Sequence, residues 1–377
     1  GLFFVADVNH DRGHESTAAA LYRRVATEFP GTDRAGLSLM RLGGLNFLHH
    51  DYADAARIWE EYRSSYPRGQ RVLQSTYWAG RAYAEQGDTA RAHALWRAVR
   101  QQDPLSYYSL EASKRLKVDY WPAPMRAAPP PDPAARARVD DWMRAVTLLN
   151  DAGLHDEAEA RIDELVKQAG DDRALLYPLA EALNERGYTV HGIRIGYELR
   201  DRDGLNPRVL RIVYPFPYRA MIAAEAKEQG LDPFQVAAMI RQESSFKARI
   251  ASPVGARGLM QIMPSTGEKL AKAADIDHWR TELLYQPEIN VHLGTIFLAD
   301  QMDEYDGALP AVFSAYNAGP ARVDVWKEFP EFGQPELFTE RIPYTETRDY
   351  VKILTRNMAI YKGLYSSMPT RGTGAPE

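Results

Sequence analysis

Three stretches in the first third of the chain, LYRRVATEFP, IWEEYRSSYP and LWRAVRQQDP, align without a gap. Pro30, Pro67 and Pro104 recur at one constant spacing, as do Tyr22, Trp59 and Trp96. A fixed period constrains the fold more than composition does, because each unit must bury its apolar face on the next. Proline at the end of each stretch stops a helix. Small-residue starts such as DYADAAR and DTARAHA precede the aromatic stretches, and helical segments such as STYWAGRAYAEQG lie between them. Each unit is therefore expected to be two helices with a proline stop. The recurring aromatics read as interhelix core rather than as ligand contacts.

That plan resembles the tetratricopeptide repeat, with a slightly longer spacing and hence longer helices. It breaks at WPAPMRAAPPPDPAARA, Trp121 to Ala137, which is too rich in proline for a continuous helix and reads as a linker or a surface strap. Helical pattern resumes with DAGLHDEAEARIDELVKQAG and NERGYTVHGIRIGYEL, punctuated by Gly153 and Gly187 as Gly87 punctuates the first set. NPRVLRIVYPFPY, with Pro207, Pro215 and Pro217, is the expected domain boundary. Only Leu210 to Tyr214 has the makings of a short strand, so the class is all-α. The expected division is helix-pair repeats over 1–120, strap over 121–137, further superhelical helices over 138–211 and a separate domain over 212–377.

The 377 residues allow two or three domains, and 45% hydrophobic with 26% charged residues is an ordinary globular balance. A net charge of -5 gives no global basic field for nucleic acid. No apolar run is long enough to span a bilayer. The opening GLFFVADVNH lacks the basic flank, long apolar core and small-residue site of a secretory signal, which leaves export open. With no cysteine there is neither a disulfide nor a thiol catalyst. The nine histidines show no metal spacing, and neither a phosphate-binding glycine loop nor a serine nucleophile elbow occurs. No cofactor and no metal are expected.

GLDPFQVAAMIRQES reads as a helix capped by Asp232 and opened by Pro233, with Val236, Met239 and Ile240 as its apolar stripe. Glu243 falls on that stripe, near the helix end. Apolar surroundings and the negative end of the helix dipole both disfavour its ionised form. A carboxylic acid that keeps its proton near neutral pH is what a general acid needs. The bland reading is an ion pair with a cation such as Arg241. Next comes SPVGARGLMQIMPSTGEKLA, where Gly255 and Gly258 permit tight backbone near a ligand, Gln261 offers donor and acceptor, and Pro264 opens a helix. Ser252 and Met263 lie in the same stretch. FSAYNAGPARVDVW then puts Tyr316 and Asn317 at a helix end stopped by Gly319 and Pro320, and ERIPYTETRDYVKIL places Glu346 before a last helix. Plain structural roles are open to each: turn or core for Ser252 and Tyr316, core filler for Met260 and Met263, a helix cap for Glu346 with Arg348 as its partner.

QESSF, SPVGARGLMQIMP, AYNAGP and IPYTETRDYV, in that order, resemble the successive motifs of the soluble lytic transglycosylases. The family implies a lysozyme-like α-helical catalytic domain after an N-terminal α-superhelix, and YYSLEASKRL and the helix pairs are similar to that superhelix. It implies cleavage of the β-1,4 bond between N-acetylmuramic acid and N-acetylglucosamine in peptidoglycan, with a 1,6-anhydro product and one acid doing both proton transfers. On this resemblance Glu243 matches the acid/base, and Ser252 matches a serine facing the muramoyl acetamido or C6 region. Gln261 and Met263 match cleft residues, and Tyr316 matches an aromatic that hydrogen-bonds near the acid. Asn317 is the adjacent motif member, which otherwise only caps the turn, and Glu346 matches a second, substrate-binding glutamate. The residues after ESSF, KAR, vary from the proline often found there. The partners implied are peptidoglycan glycan strands, with the repeats as a candidate surface for cell-wall proteins, and the implied location is the periplasm or cell envelope. A hydrolytic muramidase or chitinase on the same fold and a non-catalytic peptidoglycan-binding scaffold are the competing readings.

Overall fold

The computed structural model describes residues 1–120 and 125–366, so Trp121 to Pro124 of the expected strap lie outside the described residues. In chain order the helices are α1 (Leu2–Asp11), α2 (Glu15–Glu28), α3 (Asp33–Leu48), α4 (Tyr52–Ser65), α5 (Val72–Glu85), α6 (Thr89–Gln102) and α7 (Tyr107–Leu116). After the strap come α8 (Pro133–Asp151), α9 (His155–Ala169), α10 (Arg173–Glu185), α11 (Thr189–Asp203) and α12 (Pro207–Val213). The remainder are α13 (Arg219–Glu228), α14 (Pro233–Glu243), α15 (Pro264–Ala273), α16 (Pro287–Glu304), α17 (Leu309–Ala318), α18 (Pro320–Trp326), α19 (Pro335–Arg341) and α20 (Thr345–Tyr365). Among the described residues there is no strand, only isolated bridges of Arg257 with Ala251 and Ile262. The all-α expectation holds.

The chain forms two compact units, neither of them one continuous stretch: Gly1–Pro122 with Asp300–Ala359, and Ala123–Ala299 with Ile360–Glu377. In the first unit α1 to α7 stack each on the next, and α5 also meets α7. The starts of α3, α4, α6 and α7 are closed by side chains: Thr32, Asp51, Asp88 and Ser106 each accept a backbone N–H of the first turn. Tyr22, Trp59 and Trp96 are buried, as expected of core. A Cβ on Gly43 would stand 2.4 Å from Trp59 Nε1, and one on Gly80 would stand 2.6 Å from Trp96 Nε1. Ala6, the same number of residues ahead of Tyr22, is buried too. Each repeat therefore seats its aromatic against a small residue of the preceding helix, which is why the period is strict. Leu337 of α19 joins this core.

In the second unit α10 is central, meeting α8, α9, α11 and α12. The described strap residues run to Asp132, whose carboxylate caps α8, so residues 133–137 are already helical. Arg126 donates its backbone N–H to Leu205 O (3.1 Å) and its guanidinium to Asp203 O (3.0 Å), which holds the strap on this unit. Leu210 to Tyr214, read as a short strand, falls instead on α12 and its C-terminal cap, Tyr214. Asn206 accepts the backbone N–H groups of Arg208 (3.1 Å) and Val209 (2.9 Å), and Pro207 stands in the first turn, so the cap sets a helix where β-branched residues suggested otherwise. The segment after it, YPFPY, is an aromatic wedge. Phe216 packs against Phe234 and Tyr361, and Tyr361 donates its hydroxyl to Pro215 O (2.9 Å), which fixes the start of α14.

Candidate active site

Asp232 accepts from Phe234 N at 2.8 Å and Pro233 occupies the first turn of α14, as the sequence indicates. Val236, Met239 and Ile240 are fully buried, and Glu243 is the last helical residue, half-buried. The chain then reverses sharply. Ser245 (φ 51°) and Phe246 (φ 65°) are two consecutive non-glycine residues in the left-handed region, each costing about 1–2 kcal/mol. Such a conformation persists only where surroundings impose it. Here Thr189 Oγ1 donates to Ser245 O, and Arg241 donates to Ser245 Oγ (3.1 Å). Ser244 Oγ accepts from Phe246 N (3.2 Å) and donates to Leu259 O (2.8 Å), while the Phe246 ring is buried beside Tyr361. Arg241 donates to Ser245 Oγ, to Val213 O (3.1 Å) and to Tyr197 OH (3.3 Å).

The Ser244 bond ties the end of α14 to the loop that carries Ser252, Gln261 and Met263. Ser252 Oγ accepts from Ala256 N (3.0 Å), so the turn is closed while the hydroxyl hydrogen stays available for another acceptor. Gly258 (φ 78°) is obligatory: a Cβ there would lie 2.0 Å from Leu284 O and 2.3 Å from Asn290 Nδ2. Asn290, fully buried, is the loop's anchor. It donates to Arg257 O (2.9 Å) and Leu284 O (2.8 Å) and accepts from Met260 N (2.7 Å). Gln261 is left-handed (φ 49°), with its Nε2 on Gly258 O (2.8 Å). Met263 precedes α15 and is 40% exposed, whereas Met260 is fully buried core.

The remaining motif residues lie in the first unit. Tyr316 and Asn317 end α17, Gly319 (φ 89°) stops it and Pro320 opens α18. Asn317 Oδ1 accepts from Thr347 Oγ1 at 2.7 Å, so it joins α17 to the first turn of α20 rather than only closing its own turn. Glu346 is exposed in that first turn. Beside it Tyr344 meets Trp326 edge-on at 5.3 Å and accepts from Arg322 Nε (3.0 Å). Arg348, weighed as the partner of Glu346, is buried and donates to Ile342 O (2.8 Å) and Thr345 Oγ1 (3.2 Å). Burial, reinforced by Arg41, lowers its pKa to about 10.

The predicted residues thus divide between the two units, Glu243, Ser252, Gln261 and Met263 in one, and Tyr316, Asn317 and Glu346 in the other. Sequence reasoning missed the side chains that hold them. Asn290, a buried polar residue on a helix start, and Ser244, inside the quoted motif, were the available signals.

The described elements are helical, and α1 to α7 stack as repeats. Residues 220–336 match the family described as Transglycosylase SLT domain, and residues 74–106 match the family described as Tetratricopeptide repeat. The particular relatives are the soluble lytic murein transglycosylases. That of Salmonella typhimurium is 29% identical over 296 residues, covering 76% of this chain and 43% of the relative. That of Escherichia coli K12 is 28% identical over 298 residues, covering 78% and 44%. The chain spans less than half the length of these relatives. Among solved structures, an inactive mutant of the lytic transglycosylase Slt from Pseudomonas aeruginosa has a TM-score of 0.76 at 23% identity, over 99% of this chain and 59% of that one. The 70 kDa soluble lytic transglycosylase of Escherichia coli has a TM-score of 0.71 at 24% identity, over 94% and 58%. The resemblance drawn from the motifs is therefore shown, in the fold as well as in the sequence. No described helix is long and apolar enough to cross a membrane.

Proposed function

We propose that this chain is a lytic transglycosylase of the cell envelope that cuts the β-1,4 bond between N-acetylmuramic acid and N-acetylglucosamine in peptidoglycan. Glu243 is its acid and base. The reading rests chiefly on one observation: a half-buried glutamate ends α14 and is followed by an enforced left-handed turn tied to the glycine loop. Such strain is kept where a site must be shaped. Glu243 gives its proton to the glycosidic oxygen as the C1–O bond breaks. The substrate's C6 hydroxyl then bonds to C1 and returns its proton to the Glu243 carboxylate, so no water is consumed and the new end is a 1,6-anhydro ring. The Ser252 hydroxyl donates to the muramoyl acetamido or C6 region. On the motif resemblance Gln261, Met263 and Tyr316 each contact substrate, with Asn317 setting the α17 end and Glu346 binding sugar.

The test is mass spectrometry of muropeptides released from purified sacculi. An anhydro product is lighter by one water than the product of a hydrolytic muramidase, and a non-catalytic scaffold releases nothing. Glu243→Gln should lower release by about a hundredfold or more, the scale of general-acid loss. Near wild-type release from that variant would remove Glu243 from the chemistry.

A further inference from the structure

The face of the repeats formed by α3, α5 and α7, here called the inner face, is occupied by a piece of the same chain. Helix α19 has seven residues, too few to hold a helix alone in water. Its Glu336 and Glu340 stand four apart, on one side of the helix. Glu336 accepts from Tyr77, Arg81 and Arg115, from α5 and α7. Glu340 accepts from Gln74 (2.6 Å), Trp78 (3.2 Å) and Tyr108 (2.7 Å) of the repeats and from Lys352 of α20 (2.7 Å). Arg41 of α3 donates to the backbone oxygen of Glu340 (2.6 Å), and Leu337 enters the repeat core. Burial alone would raise the pKa of Glu340, but Lys352 and the hydrogen-bond donors around it outweigh that and keep it below the usual carboxylate value.

These contacts reach the turn that precedes α20, where Arg41 also donates to Ile342 O (3.5 Å). Ile342 to Tyr344 follow α19 directly and lead into the first turn of α20, with Glu346. Lys352 carries the clamp into α20, and Thr347 carries it on to Asn317 of α17. We propose that the inner face of the repeats is a positioning device, which captures α19 through Glu336 and Glu340 and thereby fixes the turn bearing Tyr344 and Glu346. This rests on the transglycosylase reading, since it takes that turn to bind glycan. It also leaves the inner face closed to a partner protein while α19 is seated.

The experiment compares the wild-type chain with Glu340→Gln by amide hydrogen exchange over 335–348 and by kcat and KM on a soluble glycan oligomer. Removing one member of a buried charge pair should speed exchange there by roughly tenfold or more, with α14 unchanged. KM should rise roughly tenfold with kcat within a few-fold, because displacement of a positioning group by about 1 Å costs up to about a hundredfold and Glu243 is untouched. If Glu340→Gln does not fold, the pair Tyr77→Phe and Tyr108→Phe removes three hydrogen bonds, those to Glu336 and Glu340 and that from Lys352, and no charge, and the same pattern is expected at about two- to threefold. Unchanged exchange, or faster exchange with an unchanged KM in an active chain, refutes the positioning role alone. A wild-type chain inert on glycan refutes the transglycosylase reading and this role with it.

Discussion

Gly258 and His10 show what single side chains settle in this protein. At Gly258 the backbone is left-handed and the space where a Cβ would go is filled by Leu284 O and Asn290. Gly258→Ala should cost about 1–3 kcal/mol for overpacking and about 1–2 kcal/mol for the left-handed backbone. The denaturant midpoint measures it, and a change below about 1 kcal/mol would mean that the loop is not held as described. His10 lies 3.2 Å from Tyr22 OH and 3.7 Å from Glu331 Oε1. Burial pushes its pKa below 6.5, although the Glu331 carboxylate opposes that. Glu331 itself is held below 4.5 because His10 and Arg341 outweigh its burial. The unfolded chain then binds a proton at His10 before the folded one does, so stability falls as pH drops through 6.5 and levels off below the folded value. The Glu331 contribution is lost only at lower pH, as its carboxylate protonates below 4.5. Urea unfolding at about pH 7.5 and about pH 5.5 should show this slope in the wild-type chain and a smaller one in His10→Gln, where His191, its pKa also lowered by burial, still contributes.

At the scale of elements, the segment from α14 through the glycine loop to α15 behaves as one piece because Ser244 links its ends. Ser244→Ala removes the donor to Leu259 O and the acceptor of Phe246 N, both in buried surroundings. Unpaired buried groups cost about 1–3 kcal/mol, so the variant should lose that much in denaturant unfolding, and an unchanged midpoint would refute the link. Half of this piece was legible in the sequence. Asp232 and Pro233 cap α14 through local chemistry, and Pro264 and Gly319 act as locally as expected. The other half was not, for a physical reason. The left-handed Ser245 and Phe246 are held by Thr189 and Arg241, contacts that no local pattern encodes, and Asn290 acts on a loop thirty residues away. The strand suggested at Leu210 failed in the opposite direction, because a local cap at Asn206 overrode β-branched composition.

For the whole molecule, the repeat period was readable because small residues and aromatics alternate in strict register, whereas the use of the repeats' inner face was not. Glu336 and Glu340 look like solvated charges on a short helix until Tyr77, Arg81 and Trp78, more than 250 residues earlier, are brought against them. A cut before Ile212 is the natural one from sequence, since every motif lies after it. Two readings of the preceding residues then diverge. If the repeats only guide a long polymer, the fragment from Ile212 onward should cleave short glycan oligomers normally and lose activity on sacculi alone. The contacts argue for the other outcome. The fragment lacks Thr189 and Tyr197, which hold the turn after Glu243, and it lacks the repeat partners of Glu336, Glu340 and Leu337. The motif residues of both units lose supports. Oligomer cleavage should therefore fall by about a hundredfold, in proportion with the loss on sacculi. Circular dichroism of the fragment establishes how much helix survives, and rates on the two substrates decide the matter. An oligomer rate within a few-fold of the full chain would show that the motif residues hold their geometry without the repeats.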